Sequence, residues 1–276
     1  MSIRYTPKAT INISVLLPTR GRGELAHKSL LSLVDNANNI NNVEFLLAID
    51  QDDVDTLEYC ETTLIPDFKA KDISLRIFNM ERLGYVQLHK YVNYLGYNSK
   101  GQWLLFWNDD AVMQSQGWDD EIASYTGQLA ILRYKDNHNC HPYSVFPIVP
   151  RDWLTLFECL SPAQQTDAWI SQVAWLTDSM ITIESEVLHD RADITGNNDD
   201  EIYQERVYLD DANTPQMLQM KQAYAAKWTW LRKLLGQDSG WYDHWQAGHA
   251  DPWEKMMAMD VNNQTVQIPI EQSNES

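Results

Sequence analysis

A hydrophobic run, Trp103-Leu104-Leu105-Phe106-Trp107, leads straight into Asn108-Asp109-Asp110. Two adjacent carboxylates at the end of a buried strand repel each other unless a cation or a ligand compensates them. Mg2+ or Mn2+, held by one or two carboxylates and completed by a substrate diphosphate, is the natural compensator. A capped turn with solvated acids accounts for the tripeptide equally well. A second feature lies near the N-terminus, where a short apolar run passes into Pro18-Thr19-Arg20-Gly21-Arg22-Gly23 and then a helical pattern. Two guanidinium groups and several backbone N–H donors at a helix N-terminus suit a phosphate. A surface turn with solvated arginines is the plain alternative. The string Gly21-Arg22-Gly23-Glu24-Leu25-Ala26 also fits the G-x-G-x-x-A dinucleotide fingerprint, but in that fingerprint the first glycine sits at the strand end, whereas Pro18, Thr19 and Arg20 intervene here.

Two further acids and a histidine complete the candidates. Asp50 ends an apolar run within Ile49-Asp50-Gln51-Asp52-Asp53-Val54-Asp55, where a carboxylate can accept from a base N–H or from ribose hydroxyls. An EF-hand is excluded because Val54 takes the fifth position and no glycine follows it. Asp52, Asp53 and Asp55 read better as caps and first-turn acids of the next helix. Asp167, at the start of a helical pattern, is either an N-cap or a general base for an acceptor hydroxyl. His189, in His189-Asp190-Arg191, follows a β-rich run and is either structural or a ligand near a strand end.

The elements that would carry these residues alternate. Ile13–Leu17, Val43–Ile49, Ile73–Phe78 and Trp103–Trp107 read as strands. Helical spacing separates them: Leu25, Leu30, Leu31 and Val34, then Val54–Leu64, then Val86–Tyr94. That order predicts a parallel sheet covered by helices, with polar residues gathered just beyond the strand ends, the edge at which open α/β sheets bind ligands. Beyond it, Ser144–Val149 and Met180–Val187 read as strands, and Asp167–Leu176 and Met217–Leu235 as helices. Most of the 11 Trp and 13 Tyr, including Trp241, Tyr242, Trp245 and Trp253, are expected to pack.

Composition bounds the partners. The chain has 276 residues, 44% hydrophobic and 22% charged, which suits one main globular core with an extension. Its net charge of −18 repels phosphate backbones and anionic bilayers, so no nucleic-acid partner is expected, while a local basic cleft remains compatible with a small anionic ligand. Three cysteines without C-x-x-C spacing argue against a disulfide framework or a cysteine zinc site. With no leader-like segment and no apolar run long enough to cross a bilayer, a cytoplasmic protein is expected.

Taken in order, these segments resemble the GT-A fold glycosyltransferases, in particular their family 2-like members. Ile13 to Arg22 is similar to the family's first strand and nucleotide loop, and Glu44 to Asp50 to its second strand with a base-contacting aspartate. Gly84 and Asn93 fall at the N-x-G and the following Asn. Asn108-Asp109-Asp110 takes the place of the D-x-D motif, with Asn108 at its first Asp, and Gly117-Trp118-Asp119 looks like the G-W-D beyond it. Phe146 to Arg151, Asp167 to Ile170 and His189 to Asn197 resemble a phage- and bacterium-associated subgroup.

The resemblance implies an α/β fold with a mainly parallel, Rossmann-like sheet flanked by helices and a C-terminal helical extension. The glycosyltransferase domain would span 1–212, with a nucleotide-binding half 1–112 and an acceptor and metal half 113–212. A Trp-rich helical extension at 213–260 and a mobile polar tail at 261–276 would follow. The implied activity is metal-dependent, inverting transfer of a sugar from a nucleoside-diphosphate donor, UDP-linked in preference to GDP-linked, to an acceptor hydroxyl, by expectation of a glycan. Pro18, Thr19, Arg20, Arg22, Asp50, Gly84, Asn93, Asn108 and Asp109 would bind the donor. Asp110 and His189 would hold Mn2+ or Mg2+, and Asp167 would be the catalytic base. The alternatives are a sugar-phosphate nucleotidyltransferase, for which the Gly-rich loop ending in Lys is missing after the first strand, and a non-catalytic protein that binds nucleotide sugars or glycans.

Overall fold

Three apolar strands, each followed by a turn and a helix, build the centre of the molecule. In the computed structural model, which describes residues 3–4, 11–137, 143–207 and 214–247, β1 is Ile3–Arg4, β2 Ile13–Thr19, β3 Val43–Asp50, β4 Ser74–Met80 and β5 Trp103–Phe106. Every residue of β3 is buried, as are six of the seven in β2, because both faces of these strands are covered. α1 (Gly23–Asp35), α2 (Val54–Tyr59) and α3 (Ile65–Ala70) lie against one face, where Val15, Leu17, Phe45 and Leu47 point. On the other face Leu16, Leu46 and Leu104 pack under α4 (Leu88–Asn98). The predicted helix over 54–64 is interrupted by a π-helical turn at Cys60–Leu64 that leads into α3.

The chain continues through β6 (Ala111–Met113), α5 (Trp118–Ser124), β7 (Ile131–Asp136), β8 (Ile148–Pro150), α6 (Arg151–Phe157), α7 (Thr166–Leu176) and β9 (Met180–His189). The sheet order is β1-β4-β3-β2-β5-β8-β7-β9-β6. The sheet is mixed rather than mainly parallel. Neighbours from β4 to β5 are parallel, as are β7 and β9, but β1–β4, β5–β8, β8–β7 and β9–β6 are antiparallel. The physical reason lies in the connections: the first half supplies a crossover helix between strands, whereas β6 and β8 are three-residue strands with no helix directly before them among the described residues. The expected strand over Ser144–Val149 is accordingly reduced to β8.

Two short helices, α8 (Ala192–Thr195) and α9 (Glu201–Gln204), follow β9, and α10 (Pro215–Leu234) and α11 (Trp241–Gln246) end the described chain. α10 lies on α6 and α7: fully buried Trp228 sets its ring against Trp153 and donates from Nε1 to Ser179 at 3.2 Å. Residues 214–247 therefore add side chains to the core layer formed by α4, α6 and α7. Cys140, Trp253 and the expected tail at 261–276 lie outside the described residues.

Candidate functional site

A cavity of about 740 Å3 opens where β2, β3 and β5 end, lined among others by Pro18, Asp50, Gly84, Asn108, Asp167 and His189. Its floor is the turn Asn108-Asp109-Asp110, which α1 holds in place. Ser29, buried on α1, shares its one O–H between the carbonyls of Asn108 at 2.8 Å and Ala111 at 2.6 Å and accepts from Trp107 Nε1 at 2.8 Å. One turn further along, Ser32 Oγ accepts from Met113 N at 2.9 Å. The end of α1 is fastened in turn by Gly117-Trp118-Asp119: Trp118 donates to the Leu33 carbonyl, and the Asp119 carboxylate accepts from the backbone N–H groups of Asn38 and Asn39. Gly117 adopts φ +78, where an L side chain is strained.

β6 then pairs antiparallel with the end of β9, in a register that sets Ala111 opposite His189. This pairing brings together two candidates 79 residues apart in the sequence. His189 Nε2 lies 3.1 Å from Asp110 Oδ1. Asp110 is 6% exposed and His189 fully buried, yet neither atom completes a hydrogen bond. Burial opposes ionisation of Asp110, but His189 and Arg22 outweigh it and hold the carboxyl below its usual range. Asp109 goes the other way: burial, only partly offset by Arg22, raises it to about 6. Asp109 also accepts from Thr19 at 2.8 Å and from Arg22 at 2.9 Å.

Both arginines of the loop after β2 line the cavity, each in contact with carboxylates. Arg20 pairs with Asp50 at 3.1 Å and Asp52 at 2.6 Å. Arg22 forms a two-pronged pair with Asp200, at 2.8 and 2.6 Å, besides its bond to Asp109. Asp53 caps α2 through Thr56 N and also accepts from Gly21 N at 2.7 Å, so its capping role extends to shaping the loop. Gly21 has φ +64, and a Cβ there would meet Ile202 of α9 at 3.0 Å, so the segment after β9 lies directly over the loop. β2 runs to Thr19, so Pro18 and Thr19 belong to the strand and only Arg20, not three residues, separates it from the first glycine.

Asp50 is buried, with Oδ1 accepting from Tyr91 Oη and Oδ2 from Arg20. Gly84, at φ +74 with open space where a Cβ would stand, lines the same side of the cavity. Asp167 is half-buried in the first turn of α7 and lines the cavity, while Gln165 takes the cap position. Asn93 is not brought to the cavity. Its Oδ1 accepts from the backbone of Leu160 at 2.7 Å and Ser161 at 3.2 Å, and its Nδ2 donates to the Ser161 carbonyl, so the amide ties α4 to the loop after α6. Sequence reasoning missed Tyr91, Ser29, Asp200 and Gln164, the last donating to the carbonyls of Tyr85 and Val207. Asp200 reads locally as the cap of α9, but its bond to Arg22, like the contacts of the other three, joins residues apart in sequence, which the packing of α1, α4 and the segment after β9 brings near.

No family model matches the chain, and no curated protein matches it by sequence. Its shape does have counterparts. Residues 1–349 of S. aureus TarS, solved in complex with UDP-GlcNAc, align with a TM-score of 0.58 at 12% identity, over 90% of this chain and 78% of that one. The mannosyltransferase PcManGT from Pyrobaculum calidifontis, in complex with GDP-Man and Mn2+, aligns with a TM-score of 0.52 at 10% identity, over 92% of this chain and 85% of that one. The chain has the fold of these proteins. At such identities the likeness is one of backbone, and the site rests on the residues described above. Among the described residues no group of three His, Cys, Asp or Glu side chains gathers for a metal, and no helix is long and apolar enough to cross a membrane.

Proposed function

We propose that this chain is a GT-A-type glycosyltransferase that moves a sugar from a nucleoside-diphosphate sugar to an acceptor hydroxyl. The observation that supports it is the meeting, in one cavity at the strand ends, of Asp50, Arg20 and Arg22, the Asn108-Asp109-Asp110 turn, His189 and Asp167. The residues fit a divalent metal at one point. Asp110 Oδ1 and His189 Nε2 are buried, close together and without hydrogen-bond partners, as expected of a carboxylate and an imidazole that share an ion. Two protein ligands leave the other positions for diphosphate oxygens and water, which suits Mn2+ or Mg2+. Such an ion would supply charge neutralisation of the departing diphosphate.

The chain's own groups do the rest. Asp50 accepts from the base, Asn108 and Gly84 border the ribose, Arg22 exchanges its carboxylate partners for phosphate oxygens, and Arg20 keeps Asp50 while trading Asp52 for a phosphate oxygen. Asp167 takes the proton of the acceptor hydroxyl as its oxygen bonds to the anomeric carbon and the bond from that carbon to the diphosphate breaks. One base suffices for a single displacement with inversion. The occupied state of Asp50 favours uracil: guanine would offer a carboxylate two parallel N–H donors and need both oxygens, which Tyr91 and Arg20 already engage, whereas the uracil edge offers one. The sequence segments after β7 support placement in the phage- and bacterium-associated subgroup.

The test is a set of thermal melts with UDP, GDP, CDP, dTDP and NAD(H), with and without Mn2+, followed by cleavage assays on the matching sugar donors. A metal-dependent rise with UDP that disappears in Asp110→Ala is expected. Asp167→Asn should keep that rise and lose about a hundredfold or more in transfer rate. A metal-independent response to NAD(H) alone would overturn the reading. Nucleotide binding without any donor cleavage would instead favour a binding protein.

A further inference from the structure

Tyr91 was not among the residues that the sequence marked, yet it makes two directional contacts at the nucleotide end of the cavity. It projects from α4, is 6% exposed and lines the cavity wall. Its hydroxyl donates to Asp50 Oδ1 and accepts from the backbone N–H of Leu83 at 2.7 Å. One oxygen thus connects the carboxylate at the end of β3 to the turn that carries Gly84. A phenol has one proton to give. With Leu83 N–H already donating to the oxygen, that proton goes to Asp50, so the direction of the bond is fixed. Arg20 holds the other oxygen, and the two bonds together leave Asp50 a single orientation.

Resting on the nucleotide-sugar reading, we infer that Tyr91 is the positioning residue for base recognition: by fixing Asp50 and the Gly84 turn in one frame, it aims the carboxylate at the N–H of the donor base. A buried carboxylate with a free rotor would spread its acceptor directions. A clamped one is pre-organised and loses little entropy on binding. Tyr91 does not touch the diphosphate end, which belongs to Arg20, Arg22 and the Asn108-Asp109-Asp110 turn.

That separation makes the inference testable on the full chain. Tyr91→Phe keeps the ring and its packing and removes only the hydroxyl. Titration calorimetry of UDP with Mn2+ should show affinity weakened about tenfold or more, the scale of one hydrogen bond to a charged group. Affinity for Mn2+-pyrophosphate, which has no base, should stay within about twofold of the unsubstituted protein on the same scale. Because Tyr91 acts through Asp50, Tyr91→Phe should add little to Asp50→Asn in the double variant. Equal loss for UDP and pyrophosphate would make Tyr91 merely structural and overturn the inference, as would unchanged UDP affinity or full additivity. If the unsubstituted protein binds pyrophosphate but no nucleoside diphosphate, or neither, the functional reading itself fails and the inference falls with it. If Tyr91→Phe does not fold, N3-methyl-UDP replaces it as the probe on the unsubstituted protein: binding as tight as UDP would mean that Asp50 is not aimed at the base N–H, and binding about tenfold weaker would support the inference.

Discussion

Burial and charge pull Asp110 in opposite directions, and the outcome decides what the residue can do. Its carboxylate stays ionised because His189 and Arg22 outweigh desolvation, so it is ready to receive a cation in the absence of any proton loss. His189 is the more exposed to test, since a buried imidazole beside a carboxylate can be simply structural. On the proposed reading, His189→Ala should weaken Mn2+-supported UDP binding by about tenfold or more. An Mn2+ titration curve that does not move would remove His189 from the metal site. At this scale the sequence was informative wherever a residue's role follows from its place at a strand end: Asp50, Asp109, Asp110 and His189 all reach the cavity. It was uninformative where the role follows from a partner. Asn93 sits in a motif-like position but is consumed by the Leu160–Ser161 backbone, and Ser29, a plain helix serine in sequence, holds the whole 108–111 turn.

Elements were legible in proportion to their apolar length. β2, β3, β4 and β5 and helices α4, α7 and α10 begin or end within a few residues of expectation, because runs of buried side chains or sustained helical spacing mark them. β6, a three-residue strand, was invisible, and with it the antiparallel pairing that joins His189 to Asp110. Tight junctions between elements carry their own prediction. Gly101 enters β5 so close to β2 that an added Cβ would stand 2.6 Å from the Ser14 backbone nitrogen. Gly101→Ala should therefore destabilise the chain by about 1–3 kcal/mol or more in urea unfolding, and wild-type stability would show that the two strands separate freely there. The π-helical turn after α2 buries Cys60, whose thiol burial pushes up to about 12. An ordinary thiol titrates near ~8.5, so the unfolded chain releases this proton first. Stability from Cys60 is full below about pH 8 and declines as pH rises from there towards 12. Alkylation of the native protein at pH 8, followed by mass mapping, should modify Cys159 before Cys60. Rapid labelling of Cys60 would show that the turn opens.

At the scale of the whole molecule, the sheet serves two cores at once: Val15 and Leu17 face the layer of α1 to α3, and Leu16 between them faces the layer of α4, α6, α7 and α10. Because alternate residues of one strand belong to different layers, neither layer can come apart without exposing the strands that the other needs. The cavity draws on both: Arg22 directly precedes α1 of the first layer, while Asp50, in step with Leu46 and Ala48, meets Tyr91 of α4, and Asp167 lies in the first turn of α7. α10 is the outermost contributor, and its hold rests on Trp228, fully buried against Trp153 with its N–H on Ser179. Trp228→Ala should cost about 3–5 kcal/mol, and the loss should appear as a lower midpoint of a single unfolding transition seen alike by tryptophan fluorescence and far-UV circular dichroism. If the cavity takes a nucleotide as proposed, UDP with Mn2+ should raise that same midpoint, since the cavity and the α10 contact share one folding unit. Two separated transitions, with nucleotide acting on only one, would mean that α10 and its layer fold apart from the nucleotide side. The core continuity that places Tyr91 and Asp167 on the same cavity as Asp110 would then be lost.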